Sequence, residues 1–219
     1  SEMCIRDRGW ISPRAMRNGI IVTVLFACLI GSALLFYAGW ELIIVGLLCV
    51  LFAFLYTTGP YPLSYNGWGD VLVIVFFGFV PVGGTYYVQA LTWTSDTTVA
   101  SLICGLLIDT LLVVNNYRDR EADARSGKRT VIVRFGEKFG RYLYLMLGVA
   151  ASLLCFWFFF EGHLFAALLP LLYLIPHVLT WRRMVQIHSG KKLNSILGET
   201  SRNMLLMGIL LSIGFLIRH

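Results

Sequence analysis

Charged residues are scarce in this sequence. Only 14% of its 219 residues are Asp, Glu, Lys or Arg, whereas 58% are hydrophobic. A soluble domain of this length cannot bury so much apolar surface, so most of the chain must be solvated by lipid. Regular alternation of apolar and polar residues is also lacking, which argues against membrane-spanning strands. The composition therefore indicates an all-α, multi-pass membrane protein.

Cysteine is limited to five residues, and no two of them have the spacing of a metal or redox motif. Four of them, Cys28, Cys49, Cys104 and Cys155, fall within apolar segments. We interpret these four as small buried hydrophobic residues.

Seven apolar runs predict the membrane-spanning helices. They cover residues 20–39, 42–58, 71–90, 97–114, 142–160, 164–181 and 204–217. A helix of about 20 residues crosses the hydrocarbon core, which is about 30 Å thick. Six runs reach or approach this length, and the last is the shortest.

Basic residues are distributed unevenly between the predicted loops. Eight lie in the segment 115–141 and five in the segment 182–203, whereas the tail on the opposite side holds only Arg218. By the positive-inside rule, these two segments face the cytoplasm. The rule also accounts for much of this charge without a catalytic role, and we assign Arg120, Arg125, Arg134 and Lys138 mainly to topology.

The segment 115–130, NNYRDREADARSGKRT, carries the main candidate site. Asn115, Asp119 and Asp123 are spaced by four residues, which places them on one face of a helix. Mg²⁺ prefers oxygen ligands and commonly bridges one or two carboxylates to substrate phosphates. We therefore predict that these three residues hold Mg²⁺.

Cationic side chains near these carboxylates predict a phosphate ligand. Arg118, Lys128 and Arg129 are placed to hold phosphate oxygens, and Arg offers a bidentate fork. Gly127 allows the chain to turn back toward the acidic residues. The alternative is a solvated charged loop, and the Asn at the same helical spacing favours the functional interpretation.

The segment 59–70, GPYPLSYNGWGD, is rich in aromatic residues, Gly and Pro, and has no Lys or Arg. We interpret Tyr61, Tyr65 and Asn66 as residues that line the mouth of a pocket for an aromatic or prenyl substrate. The alternative is an interfacial aromatic belt.

Further polar residues carry weaker signals. Asp109 lies inside an apolar run, where an ionisable residue is by default a functional candidate. The alternative is a hydrogen bond to a neighbouring helix, and the sequence leaves both open. Asn194, Thr200 and Asn203 are candidates to support a site on the same side of the membrane.

These motifs resemble the second aspartate-rich motif of the UbiA superfamily of intramembrane prenyltransferases, and most closely its menaquinone (1,4-dihydroxy-2-naphthoate) branch. The segments GPYPLSYNGWGD and LNSILGETSRNMLL support the same branch. The resemblance implies nine transmembrane helices and two aspartate-rich motifs that bind Mg²⁺ and the diphosphate of a polyprenyl donor. It implies transfer of the polyprenyl group to 1,4-dihydroxy-2-naphthoate with decarboxylation, which gives demethylmenaquinone.

The resemblance also implies roles for individual residues. Asp119 and Asp123 become catalytic metal ligands, assisted by Asn115. The diphosphate is gripped by three cationic residues: Arg118, Lys128 and Arg129. The expected partners are polyprenyl diphosphate, 1,4-dihydroxy-2-naphthoate and the lipid bilayer, and no nucleic acid. The expected location is the cell (inner) membrane, with the active site facing the cytoplasm.

The sequence departs from the family pattern at two places. No Lys follows Tyr61, which favours the naphthoate branch over related branches. The first aspartate-rich motif is not found before residue 20, so we expect residues 10–219 to be a prenyltransferase domain lacking its first two helices, preceded by an uninterpreted leader at residues 1–9. Alternative functions are prenyl transfer to another acceptor such as 4-hydroxybenzoate or a haem, a catalytically incompetent fragment, and a cation-coupled transporter.

Overall fold

The computed structural model describes residues 11–217, and all the regular structure in that range is helical. The leader predicted at residues 1–9 and the tail residue Arg218 lie outside the described residues. Seven apolar helical segments follow one another: α1 (Pro13–Phe36), α2 (Glu41–Thr57), α3 (Gly69–Ala90), α4 (Ser95–Arg125), α5 (Val131–Phe160), α6 (Leu164–Ile187) and α7 (Lys191–Leu216). All except the 17-residue α2 are long and apolar enough to cross a membrane. The prediction of an all-α, multi-pass membrane protein is confirmed.

Several helices extend beyond the predicted apolar runs. The segments 115–141 and 182–203, which we predicted as loops, are mostly helical, and only residues 126–130 and 188–190 separate the helices. Hydropathy marks where a helix enters lipid, but the backbone hydrogen bonds continue into the polar region beyond it. The last predicted run, 204–217, belongs to the much longer α7, whose first turns are polar.

Two compact units divide the chain, residues 1–55 and residues 56–219. In the described part of the first unit, α1 begins at Pro13, and the Ser12 hydroxyl caps it by accepting a hydrogen bond from the Ala15 amide at 3.2 Å. Neither α1 nor α2 contains a buried residue. Cys28 is exposed, and Cys49 and Cys104 are only partly buried, so the prediction of buried cysteines holds only for Cys155. Apolar side chains that face lipid need no protein neighbour.

In the second unit, α3 and α4 pack closely through glycine. A Cβ atom on Gly78 would lie 2.5 Å from the Ser101 carbonyl oxygen, and one on Gly105 would lie 2.9 Å from the Ile74 Cα. Small residues allow such close approach between membrane helices, where dispersion contacts replace the hydrophobic effect. This contact holds α4, which carries the candidate site, against α3.

Helices α4 to α7 share a core of buried side chains. His177 is stacked between Tyr144 and Tyr173, at ring-centroid distances of 4.7 and 5.0 Å. Its Nδ1 is 2.9 Å from the Tyr173 hydroxyl, and its Nε2 is 3.2 Å from the Leu145 carbonyl oxygen. Gly148 leaves room for this ring, because a Cβ there would lie 2.2 Å from His177 Nε2. These contacts account for His177 as a packing residue.

Candidate functional site

The candidate site lies at the polar end of α4. The helix is continuous through Asn115, Asp119 and Asp123 and ends at Arg125, so the predicted helical spacing is realised. The two carboxylate side chains differ in exposure, at 40% for Asp119 and 14% for Asp123. The three residues therefore form a row of oxygen ligands along one side of the last turns of α4.

The chain reverses immediately after α4. Gly127 adopts a φ of +77°, a left-handed conformation that favours glycine. The Lys128 amide then donates to the Asp123 carbonyl oxygen at 2.9 Å, and the Lys128 ammonium lies 3.3 Å from the Asp123 carboxylate. The predicted turn thus returns one cation to the acidic row.

Arg118 is bound to several members of this row. Its Nε and Nη2 atoms donate to the two carboxylate oxygens of Asp119, at 2.8 and 2.6 Å. Nη2 also donates to Asn115 Oδ1 at 2.7 Å. One planar guanidinium therefore satisfies oxygens from two of the three predicted metal ligands.

A residue from α7 completes this contact. Arg118 Nη1 donates to Asn194 Oδ1 at 2.9 Å. The sequence gave only a weak signal for Asn194, because a single Asn lies 76 positions from Arg118 in the chain. The other two weak candidates bond elsewhere: Thr200 lies 3.0 Å from the Tyr144 hydroxyl, and Asn203 donates to Thr180 at 3.0 Å.

The aromatic segment 59–68 is joined to the basic segment by main-chain oxygens. The Arg129 amide donates to the Tyr65 carbonyl oxygen at 2.7 Å, and Arg134 Nη2 donates to the Asn66 carbonyl oxygen at 2.7 Å. Gly67 adopts a φ of +83°, and a Cβ there would lie 3.0 Å from the Arg129 carbonyl oxygen. Arg134, which we assigned to topology, therefore also fastens these two segments.

The side chains of the aromatic segment have different environments. Tyr61 and Tyr65 are 56% and 42% exposed, whereas the Asn66 side chain donates to the Pro62 carbonyl oxygen at 2.8 Å. The structure thus brings Tyr65 and Asn66 to the basic segment through their backbone. The rings of Tyr61 and Tyr65 remain accessible.

A second ionic network lies beside the site and was missed by the sequence interpretation. Arg120 pairs with Glu137 at 3.4 Å and stacks over the Tyr117 ring at 4.6 Å. Glu137 also accepts a 2.8 Å hydrogen bond from the Tyr117 hydroxyl and pairs with Arg141. Arg120, assigned to topology from the sequence, thus connects α4 to α5, and this contact between helices had no sequence signal.

Deeper in α4, Asp109 has a different environment. Its side chain is 1% exposed, and Oδ1 has no hydrogen-bond partner among residues 11–217. Asp70, in the first turn of α3, interacts with it electrostatically and also has a buried Oδ1 without a described partner. The structure therefore does not supply the hydrogen bond to a neighbouring helix that was one of the two readings of Asp109.

The donor set at the end of α4 fits Mg²⁺ in its chemistry. It consists only of oxygen ligands, two carboxylates and one amide, and Arg118 shows that these oxygens accept a cation. Among residues 11–217, no group of three or more His, Cys, Asp and Glu side chains is arranged to hold a metal. A Mg²⁺ ion held by one or two carboxylates, with water and phosphate as the other ligands, does not need such a group.

The comparisons with known proteins agree with these features. The model of the UbiA prenyltransferase family matches residues 5–212. A 1,4-dihydroxy-2-naphthoate octaprenyltransferase of Haemophilus influenzae is 36% identical, over 96% of this chain and 71% of its own length. Proteins of the same name from Escherichia coli and Mycobacterium leprae are 37% and 39% identical, over 68% and 65% of this chain. The match spans about half the length of these two relatives, at 50% and 48%. No solved structure matches.

Proposed function

Because the chain belongs to the UbiA prenyltransferase family, we propose that it transfers a polyprenyl group from polyprenyl diphosphate to 1,4-dihydroxy-2-naphthoate. The ring carboxylate leaves as CO₂, and the product is demethylmenaquinone, an intermediate of menaquinone biosynthesis. The observation that carries this proposal is the row of Asn115, Asp119 and Asp123 with Arg118 and Lys128 on its carboxylates. Similarity to relatives named for the naphthoate acceptor supports that acceptor over 4-hydroxybenzoate, and membership of an enzyme family favours catalysis over cation-coupled transport.

The barrier to this reaction is charge separation in a poorly hydrated site. The bond between the first prenyl carbon and the diphosphate oxygen breaks, and the electron pair leaves with the diphosphate. Arg118 and Lys128 stabilise the growing negative charge, as preorganised cations do at a transition state. Both now neutralise carboxylates of the row, so a diphosphate oxygen can replace an oxygen that each already binds.

Asp119 and Asp123, with Asn115, would hold Mg²⁺ beside the diphosphate. When bound, the ion neutralises phosphate oxygens and assists departure of the leaving group. Arg129 adds a third cation from the adjacent loop, where its amide is fixed to the Tyr65 carbonyl oxygen at 2.7 Å. This division of roles assigns the metal to the α4 row and the diphosphate to the basic residues around it.

The aromatic segment is proposed to receive the acceptor ring or the prenyl chain. Tyr61 and Tyr65 offer accessible aromatic faces. Asn66 orders the segment through its bonds to Pro62 and Arg134. An electron-rich naphthoate ring held there can attack the allylic carbocation, forming the new carbon–carbon bond as CO₂ is lost.

A prenyl-transfer assay tests the proposed function. In the protein that contains this chain, radiolabelled polyprenyl diphosphate should label 1,4-dihydroxy-2-naphthoate in a Mg²⁺-dependent reaction with release of CO₂. The matched acceptor is 4-hydroxybenzoate, which should be labelled at least about tenfold more slowly, since about 1.4 kcal/mol of transition-state discrimination suffices for that ratio. Preferential labelling of 4-hydroxybenzoate would replace the acceptor in the proposal.

We further propose that the site faces the cytoplasm from the inner membrane. The basic residues of the two polar segments carry this assignment. Cysteines introduced at Ser126 and Ser189, both exposed between helices, should be blocked by a membrane-permeant thiol reagent but not by an impermeant reagent added outside intact cells. Labelling by the impermeant reagent would reverse the orientation.

A further inference from the structure

A cavity of about 640 Å³ lies between α6 and α7, away from the row of ligands on α4. Its lining includes three arginines, Arg182, Arg183 and Arg202, together with the apolar residues Leu179 and Leu206. We call it the arginine cavity. A site with cationic groups at one end and apolar walls at the other matches a ligand with an anionic head and an apolar body.

The wall of the arginine cavity on α6 continues into a lipid-facing stripe. Leu172, Ile175 and Leu179 are exposed and are spaced by three and four residues, so they lie on one face of the helix. Arg182 and Arg183 follow Leu179 at the same spacing. The exposed apolar face of α6 therefore ends in two guanidinium groups.

The wall on α7 has the same arrangement. Leu205, Ile209 and Ile213 are exposed along one side of the helix. Arg202 precedes Leu205 by three residues and also lines the arginine cavity. Two parallel apolar stripes thus converge on one group of arginines at the polar ends of their helices.

The charge in the arginine cavity is only partly balanced from within. Glu199 pairs with Arg183, so three arginines and one carboxylate leave a net charge of +2 on the lining. The buried floor is satisfied, since Asn203 donates to Thr180 at 3.0 Å. The unbalanced charge therefore lies at the mouth, on Arg182 and Arg202, which are both exposed.

We propose that the arginine cavity binds the headgroup of an anionic phospholipid, with its acyl chains along the stripes of α6 and α7. Basic pockets between transmembrane helices suit anionic headgroups, and guanidinium groups bind phosphate oxygens in bidentate fashion. A free phosphate would use the arginines but not the apolar stripes. This lipid site is independent of the proposed prenyl transfer.

Lipid exchange in nanodiscs tests the arginine cavity. The purified protein is placed in phosphatidylcholine nanodiscs, and retention of fluorescent phosphatidylglycerol is compared with that of fluorescent phosphatidylcholine. Wild type should prefer phosphatidylglycerol, and R182Q/R202Q should weaken its binding about 30-fold, since each arginine near the headgroups contributes roughly one factor of five. Binding of phosphatidylcholine should not change.

Two further variants separate a defined site from a generally basic surface. R17Q/K192Q removes the same charge from exposed positions that do not line the arginine cavity, and it should change the preference less than about twofold. R182K/R202K keeps the charge but removes the bidentate fork, and its loss should be intermediate. Equal losses in the first two variants, or no preference in wild type, would overturn the proposal. Displacement of the labelled lipid by inorganic pyrophosphate would also overturn it, because the site would then recognise a free phosphate group.

Discussion

Asp119 and Asp109 lie ten residues apart on α4 and have opposite surroundings. This separation is about 15 Å along the helix axis. Asp119 is 40% exposed and receives two hydrogen bonds from Arg118, whereas Asp109 is 1% exposed and has an oxygen without a described partner. The same residue type is thus compensated at the polar end of the helix and uncompensated in its apolar part.

The difference separates two physical states of a carboxylate. A carboxylate that is already paired with exchangeable cations can pass from Arg118 or Lys128 to a metal at modest cost, because charge remains balanced in both states. A carboxyl group without donors in a buried site carries the full penalty of desolvation. We therefore expect changes at the end of α4 to act on catalysis and changes at Asp109 to act mainly on stability.

The largest effect is expected from removing the carboxylates of the row. Asp119→Ala and Asp123→Ala should each lower the rate of prenyl transfer by about 10²–10³-fold, in the range seen when one electrostatic group is removed from an active site. Each variant should also weaken the dependence of the rate on Mg²⁺ concentration. The matched control is Lys138→Gln, an exposed position on α5, which should retain the wild-type rate within about twofold. A near-normal rate in either Asp variant removes that residue from the proposed metal site.

The next effect should distinguish two arginines that are two residues apart. Arg118→Lys keeps the charge but loses the fork on Asp119, and we expect kcat/KM for polyprenyl diphosphate to fall about tenfold. Arg120→Lys weakens the contacts with Glu137 and the Tyr117 ring, and we expect a lower Tm with kcat/KM nearly unchanged. Kinetics and thermal unfolding of both variants provide the comparison. If Arg120→Lys impaired kcat/KM as much as Arg118→Lys, the ionic network of Glu137 would belong to the active site.

A smaller effect is expected in the aromatic segment. Gly67→Ala places a Cβ at a φ of +83° and 3.0 Å from the Arg129 carbonyl oxygen, which should displace the segment and lower activity several-fold. Tyr65→Phe keeps the ring and the main-chain bond to Arg129, so its activity should stay within about threefold of wild type. Steady-state rates for both acceptor and donor measure the two effects. A large loss in Tyr65→Phe would instead indicate that the Tyr65 hydroxyl contacts a substrate.

Much of the site could be predicted from the sequence because its members are close in the chain. The spacing of Asn115, Asp119 and Asp123 was enough to place them on one helical face, and the glycine at 127 was enough to indicate the turn that brings Lys128 back. The family and the all-α membrane fold were also predicted, since apolar run length and a local motif carry both. These are properties of short segments, for which local rules apply.

Contacts between distant segments could not be predicted in the same way. Nothing near Asn194 indicates that it binds Arg118, and the bond from Arg134 to the Asn66 carbonyl oxygen joins positions 68 residues apart. The polar first turns of α7 were interpreted as a loop because hydropathy does not register helix that continues into water. Such contacts depend on how the helices pack, which a single sequence does not state.

The smallest effect on activity is expected at Asp109. Asp109→Leu replaces a buried carboxyl group by an apolar side chain of similar size, so it removes an oxygen without a described partner and a repulsive neighbour of Asp70. An unsatisfied buried group costs about 1–3 kcal/mol, and we expect Tm to rise by several degrees. Prenyl transfer should remain within about threefold of wild type. Asp109→Asn is the companion variant, since its amide can donate to Asp70 Oδ1 and should also raise Tm. A lower Tm in both variants would mean that the carboxyl group has a partner in the folded protein, and a large loss of activity without a lower Tm would place Asp109 in the catalytic site.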